Sequence, residues 1–455
     1  MIKRTARWVD DRLGGSHFVS TALNKVFPDH WSFILGEIAL YAFGLLVLTG
    51  VYLSFFFEPS LKEVVYDGAY LPLRGLDMSR AFESTLRLSY EVRAGLVMRQ
   101  MHHWAAIVFL AAIVVHLCRV FFTGAFRRPR ELNWMIGVTL LLLSMLNGFA
   151  GYSLPDDQLS GTGLRVAYSI ILAIPFGGTW LAYLIFGGEF PAESIISRLF
   201  VIHILVLPAA IAILLVAHMA ILWRQKHTQF AGPNRRQDNV VGSKLWPSYA
   251  MKSVGLFFLV AGVLAALGGL AQINPIWLYG PFRVADVSSA SQPDWYIGWL
   301  DGALRVFPAW EIRAFGHTLP AVFFPGVLLP GVTFGLLYAW PFIEARFTHD
   351  DLMEQHLLDR PRQRPVRTGI GAGVLAFFLV LFFAGATDVL SAVFELPVTG
   401  LLVSFRILLL ALPPVVFLVA WRLARDLGRQ SNHPHPATRP PLVRRSSEGG
   451  YEADQ

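Results

Sequence analysis

Apolar and polar positions along this chain alternate over distances far longer than one face of a helix or strand. Eight runs stay almost wholly apolar, near 33–57, 102–123, 135–152, 200–223, 251–271, 319–341, 370–388 and 399–422. A helix rises roughly 1.5 Å per residue, so about twenty apolar residues cross the hydrocarbon core of a bilayer. The pattern predicts an all-α polytopic membrane protein with eight transmembrane helices. Three of the segments between them are long, 58–99, 153–199 and 272–318, and carry aromatic, Gly/Pro-rich patches such as ILAIPFGGTW and INPIWLYGPF. Such patches predict short ordered helices at the membrane surface rather than loose loops.

Composition agrees. Of 455 residues, 55% are hydrophobic and 15% charged, against about 25% charged in a soluble domain. The net charge of +7 is distributed by topology. The segment 119–133 holds Arg119, Arg127, Arg128 and Arg130 against Glu131, and 224–252 holds six Lys or Arg against one Asp. The alternate loops carry Asp156, Asp157, Glu189 and Glu193 against Arg165 and Arg198, and later only Glu395. By the positive-inside rule the basic loops and both termini are cytoplasmic, with some attraction to anionic membrane lipid and no nucleic-acid partner. The charged start MIKRTARWVDDRLGG does not read as a secretory signal. A single cysteine, Cys118, excludes a disulfide framework and covalent c-type haem attachment. Residues 430–455, rich in Pro, Ser and charge, predict disorder.

The candidate chemistry lies in the second and fourth runs. His102 and His116 are 14 positions apart, and His203 and His218 are 15 apart. Both spacings return near the starting helix face, roughly 21 Å further along. Histidines in the lipid core are costly and mark function, although on either helix alone a hydrogen-bonded interfacial pair is the plain alternative. The two helices run in the same direction, so His102 and His203 share an outer level and His116 and His218 an inner one. Imidazoles from facing helices ligate an iron on both sides and leave no open position, as in an electron-transfer haem. Two levels imply two non-covalently bound b-type haems inside a bundle of the first four helices.

Gly36 and Gly50, and again Gly137 and Gly151, repeat the 14-residue spacing on the first and third helices. Missing side chains let a porphyrin and neighbouring backbone approach closely, although small-residue helix packing gives the same pattern. Arg99 and Arg198 outside, and Arg119 inside, are candidates to neutralise haem propionates or to act as interfacial anchors. His103 points about 100° away from His102 and reads as structural. Two stacked haems imply electron transfer between lipid-soluble quinol and quinone at the two faces. Quinol oxidation needs an outer proton acceptor, and SQPDWYIGW supplies Pro293, Asp294, Trp295 and Tyr296. A carboxylate between a turn-setting proline and two aromatics suits a quinol hydroxyl, the alternative being a solvated loop aspartate.

These residues carry a family resemblance that covers all eight helices. The chain resembles cytochrome b of the quinol-oxidising cytochrome bc complexes. R-x-x-H…H-x-x-R occurs as Arg99, His102, His116 and Arg119, and G-Y-x-L-P-x-x-Q-x-S-x-x-G as Gly151, Tyr152, Leu154, Pro155, Gln158, Ser160 and Gly163. The family's P-E-W-Y appears as P-D-W-Y at 293–296, with an arm one methylene shorter. The resemblance implies that His102 and His203 hold a low-potential haem and His116 and His218 a high-potential one. It implies quinol oxidation between Gly151–Gly163 and Pro293–Tyr296. It also implies a Rieske iron–sulfur protein and a c-type cytochrome subunit as partners, in a dimeric complex that a haem-copper oxidase can join. The 15-residue spacing resembles the bacterial and plastid branches, and in bacteria this implies menaquinol and the cell membrane. At the inner quinone site Trp223 and Ser253 fall near the places of a mitochondrial histidine and aspartate; Lys252 is retained, and Glu37 is a substitute carboxylate.

The domain organisation expected is a cytoplasmic segment at 1–32, the di-haem bundle at 33–240, a C-terminal membrane region at 241–425 and a cytoplasmic tail at 426–455. Two other readings stay open on residues alone. A different di-haem quinone-reducing anchor would lack P-D-W-Y, and a proton-relaying transporter would show inverted repeats.

Overall fold

Backbone polar groups have no water to bind inside a bilayer, so each apolar run closes its hydrogen bonds on itself as a helix. The computed structural model describes residues 4, 8, 10–12, 15–286, 292–314, 316–348, 353–432, 443–445 and 451–453. It has eight helices of spanning length: α1 Trp31–Ser54, α2 Gly95–Thr123, α3 Glu131–Tyr152, α4 Ile195–Gln225, α5 Leu245–Leu270, α6 Phe324–Thr348, α7 Pro365–Gly385 and α8 Val398–Arg429. These are the eight predicted runs, most of them longer at one end. The last helix continues to Asn432, past the expected start of the tail at 426, and Val443–Arg445 pairs antiparallel with Tyr451–Ala453. The rest of the segment expected to be disordered lies outside the described residues.

Helix α6 runs past its expected end at 341 even though Pro341 lies inside it. A proline removes the bond to the carbonyl four residues back, here that of Leu337. That oxygen instead accepts the indole N–H of Trp134 on α3 at 2.6 Å, so the helix continues with its polar group satisfied.

The packing builds three groups. Helix α1 lies along α2 with α5 against both, α3 pairs with α4 and with α6, and α8 lies along α7. The short helix Trp295–Val306 rests on α7, where a Cβ on Gly302 would stand 1.7 Å from the Leu381 carbonyl oxygen. We name the two ends of the bundle outer and inner after the loop charges. As predicted, the outer segments hold short helices, at Arg80–Tyr90, Gln158–Leu172, Gly178–Phe186, Ile276–Tyr279 and Trp295–Val306. Two of these segments are joined edge to edge. The Gln158 N–H donates to the Gly280 carbonyl at 2.9 Å, and the Phe282 N–H donates to the Asp156 carbonyl at 3.0 Å. The outer end of α2 is pinned to the turn after α5. Arg99 donates to the Asn274 carbonyl at 2.8 Å, Trp104 to that of Ala271 at 2.7 Å, and Gln100 both donates to and accepts from Ile273 at 2.9 Å.

At the inner end a buried ion network ties three elements together. The Arg367 guanidinium on α7 donates to both carboxylate oxygens of Glu344 on α6 at 2.9 Å, and to Asp359 at 2.9 Å. Asp359 also pairs with Arg127 at 3.3 Å. Removing one member leaves the other charged and buried, which costs about 3–5 kcal/mol. Glu344→Ala should therefore lower the thermal unfolding midpoint of the detergent-solubilised protein by many degrees, whereas Glu311→Ala, on an exposed pair with Arg313, should leave it within a degree or two.

Candidate functional site

Helices α2 and α4 bring their outer histidines face to face. The rings of His102 and His203 have centroids 6.1 Å apart and planes at 76°. Two imidazoles bound on opposite sides of one metal, each through a bond of about 2 Å, have centroids roughly 6 Å apart. Hydrogen bonds through Nδ1 orient both rings. The Thr49 hydroxyl donates to the Leu45 carbonyl at 2.7 Å, so its oxygen is the acceptor for His102 Nδ1–H at 2.8 Å. His203 Nδ1–H donates to the Asn147 carbonyl at 2.9 Å. With Nδ1 protonated in each, the Nε2 lone pairs remain for an iron. At the inner level His116 and His218 are likewise electrostatic neighbours.

The unequal spacings have a local cause. Ile202–Val206, which contains His203, is a π-turn within α4. Such a turn takes up one extra residue, so fifteen residues on α4 keep step with fourteen on α2.

Each of the four glycines faces one histidine. A Cβ on Gly50 would lie 3.2 Å from Cε1 of His102, one on Gly151 2.3 Å from that of His203, one on Gly36 3.3 Å from that of His116, and one on Gly137 3.8 Å from that of His218. The glycines thus leave room for the edge of an imidazole, a more specific role than close helix packing. Two arginines fit haem propionates. Among the described residues Arg99 Nη1, Arg119 Nε and Arg119 Nη2 are buried without a hydrogen-bond partner, and Arg119 lies over the Phe33 ring at 4.3 Å. Arg198 is turned elsewhere: it donates to the carbonyls of Tyr183 at 3.3 Å and Leu184 at 2.6 Å, capping the C-terminal end of the helix Gly178–Phe186.

The P-D-W-Y segment sits at the outer end, against α2 and α3. Asp294 lies 2.9 Å from Nε2 of His103, with both side chains mostly buried. His103, expected to be structural, is thus a neighbour of the candidate proton acceptor. The adjacent ligand and Asp294-bonded histidine leave α2 in different directions because they are consecutive. Tyr296 and Trp295 pack with Leu110 of α2 and Leu141 of α3. Tyr296 is 3% exposed, and its hydroxyl fits only because position 148 is glycine, where a Cβ would stand 2.6 Å from it. Burial first, and then the Asp294 carboxylate, push its phenol well above the usual range. Gly163 lies beside the ring of Tyr152, where a Cβ would be 3.5 Å away. Pro293, partly buried, immediately precedes Asp294, the residue that opens the helix Trp295–Val306.

The inner end holds a cavity of about 480 Å³ lined in part by Asp29, His30, Glu37, Tyr249, Lys252 and Ser253. This size suits a small-molecule headgroup. The Glu37 carboxylate accepts the hydroxyls of Ser253 at 2.8 Å, Tyr41 at 3.2 Å and Tyr249. Lys252 donates to Asp29 at 2.8 Å and, with the Ser243 hydroxyl, holds the Asp29 carboxyl below the usual range. The three residues expected at an inner quinone site thus line one cavity. Trp223 instead stacks under the Lys25 ammonium at 4.0 Å.

Residues 107–281 match the family described as "Cytochrome b(N-terminal)/b6/petB". The cytochrome bc1 complex cytochrome b subunit of Mycobacterium tuberculosis (strain ATCC 25618 / H37Rv) is 51% identical over 430 residues, 94% of this chain and 78% of that one. The subunit of the same name from Corynebacterium diphtheriae is 50% identical, over 92% of this chain and 78% of that one. That of Streptomyces coelicolor is 48% identical, over 94% and 78%. The chain belongs to the cytochrome b subunits of cytochrome bc1 complexes. A solved structure described as "Hyperthermophilic respiratory Complex III" has the same fold, with a TM-score of 0.65 over 91% of this chain and 99% of that one, at 18% identity.

For a cytochrome b the glycine contacts make a discriminating prediction. Gly151→Ala places a methyl within the His203 ring and should remove the outer haem, whereas Gly137→Ala adds one at ordinary contact distance and should keep both. Haem quantification with reduced-minus-oxidised spectra of the purified complex checks this.

Proposed function

We propose that this cytochrome b oxidises quinol at its outer face, together with a Rieske iron–sulfur partner, and delivers one electron of each pair to a quinone site at its inner face. The observation that carries the reading is the His102–His203 pair, spaced and oriented for one iron, beside an Asp294–His103 pair able to take a proton. Bound to the four histidines, two b-type haems would supply one-electron carriers between the two faces. The chain's own residues do the rest.

His102 and His203 would hold the outer haem, His116 and His218 the inner one, with Arg99 and Arg119 placed for propionates. At the outer face Asp294 accepts the proton of a quinol hydroxyl as it is oxidised, and His103 Nε2, at 2.9 Å, steadies the carboxylate. Trp295 and Tyr296 fill the space against α2 and α3 and keep bulk water from the reacting oxygen. At the inner face Lys252, Ser253 and Glu37 surround the quinone headgroup and supply protons to the reduced oxygens. Quinol oxidation outside with proton release, and quinone reduction inside with proton uptake, contribute to a proton gradient. The work belongs to a multisubunit quinol:cytochrome c oxidoreductase, in a dimer with a c-type cytochrome subunit, in a bacterial cell membrane with both termini cytoplasmic. Menaquinol is the substrate in this proposal.

Two variants of the whole complex test it. His116→Ala should lose one b-type haem of two, and two haems remaining would overturn the ligand scheme. Asp294→Asn should keep both haems and slow quinol oxidation by about 10²–10⁴-fold, the usual worth of a positioned proton acceptor. Turnover unchanged at every pH would end its assignment.

A further inference from the structure

The outer end holds a second buried carboxylate that the scheme above does not use. Asp157 has 0% exposure; one of its oxygens accepts the Ser160 hydroxyl and the other, Oδ2, is buried without a hydrogen-bond partner among the described residues. The Tyr152 hydroxyl, within electrostatic reach of Asp157, shares that condition. Buried polar atoms are nearly always paired, with protein or with ordered water. Two such atoms that interact with each other point to bound water or a transferred proton rather than to independent lapses.

The backbone holds the cluster in place. Asp157 forms a bridge with Pro281, and the Gln158 N–H donates to Gly280, which brings the segment of Tyr279 alongside that of Asp157. Burial, then Asp157, then Asp294 raise the Tyr279 phenol, which places it within electrostatic reach of both carboxylates. Arg99 of α2, Tyr152 of α3, Tyr279, and Ser160 on its own helix are the polar groups around Asp157. Asp156 follows outward, near Ser79.

We propose that Asp157 is a second proton-accepting group of the outer site, taking a proton handed on from Asp294 and passing it outward through Asp156. The inference rests on the quinol-oxidation reading above. The quinol O–H bond breaks at Asp294 and the proton attaches to its carboxylate. It then moves through water held by the Tyr152 and Tyr279 hydroxyls to Asp157 Oδ2, which restores the Asp294 carboxylate. No electron moves in this step; both electrons of the quinol leave by the routes already proposed.

Burial pushes the Asp157 carboxyl up to about 6, opposed by Ser160 and Arg99, and that of Asp156 up to about 7, opposed by Ser79. A carboxyl raised to about 6 is protonated below that pH and cannot accept. Relay through Asp157 therefore makes quinol oxidation rise with pH through about 6.

The test is the pH profile of quinol:cytochrome c reductase activity, from pH 5 to 8, of the purified complex with a short-chain menaquinol. Asp157→Asn should retain both haem spectra, run at least about ten-fold slower at pH 7, and lose the rising limb; Asp157→Glu should restore the limb. Ser160→Ala removes a hydroxyl that favours the carboxylate and should shift the limb to higher pH without altering Asp157. It keeps the question answerable if Asp157→Asn does not assemble. A wild-type rate and limb in Asp157→Asn, or an unmoved limb in Ser160→Ala, overturns the relay. If Asp294→Asn is slow while Asp157→Asn is not, only the relay falls. If neither variant changes turnover, the relay falls and the assignment of Asp294 as the proton acceptor falls with it.

Discussion

Imidazoles facing one another across the inside of a helical bundle set the terms for everything around them. An iron held between His102 and His203 tolerates little error in ring position, and the structure meets that demand from several helices at once. Thr49 on α1 and the Asn147 carbonyl on α3 fix the ring orientations. Gly50 and Gly151 leave space at the ring edges. The π-turn at Ile202–Val206 brings α4 into register. None of these devices lies on a loop, and the precision of the site follows from placing it on packed helices.

Cofactor geometry also explains where charge is allowed inside the bundle. Among the described residues Arg99 and Arg119 keep buried N–H groups without a partner, which haem propionates would satisfy. The Arg367–Glu344–Asp359 network, by contrast, pairs its buried charges within the chain and joins α6, α7 and the segment after α2. One set of charges awaits a partner from outside the chain, while the other closes the fold.

The two faces of the subunit differ in construction. At the outer face, consecutive residues on α2 serve separate purposes: His102 faces the iron site and His103 faces Asp294. One rigid helix thereby holds a candidate iron ligand and the hydrogen-bond partner of the candidate proton acceptor in fixed relation. At the inner face a cavity open to Glu37, Lys252 and Ser253 supplies hydroxyls and charge without a histidine partner for the carboxylate.

Much of this was legible in the sequence. Eight spans follow from the length of the apolar runs, because lipid leaves a backbone no alternative to helix or closed barrel. The four candidate ligands and the glycines that face them follow from period, because a helix repeats its face at a fixed interval. Ends and pairings were not legible. The apolar run ends at Pro341, yet α6 continues, and the Trp134 indole from another helix satisfies the carbonyl that the proline leaves free. Arg198 reads as a propionate partner, and only the end of the helix Gly178–Phe186 shows what it caps. The partnership of His103 with Asp294 spans 191 positions, and the approach of Asp157 to Tyr279 depends on two loops meeting edge to edge. Periodicity along one helix reports which residues share a face; which residues meet across two segments is decided by packing, and no local pattern records it.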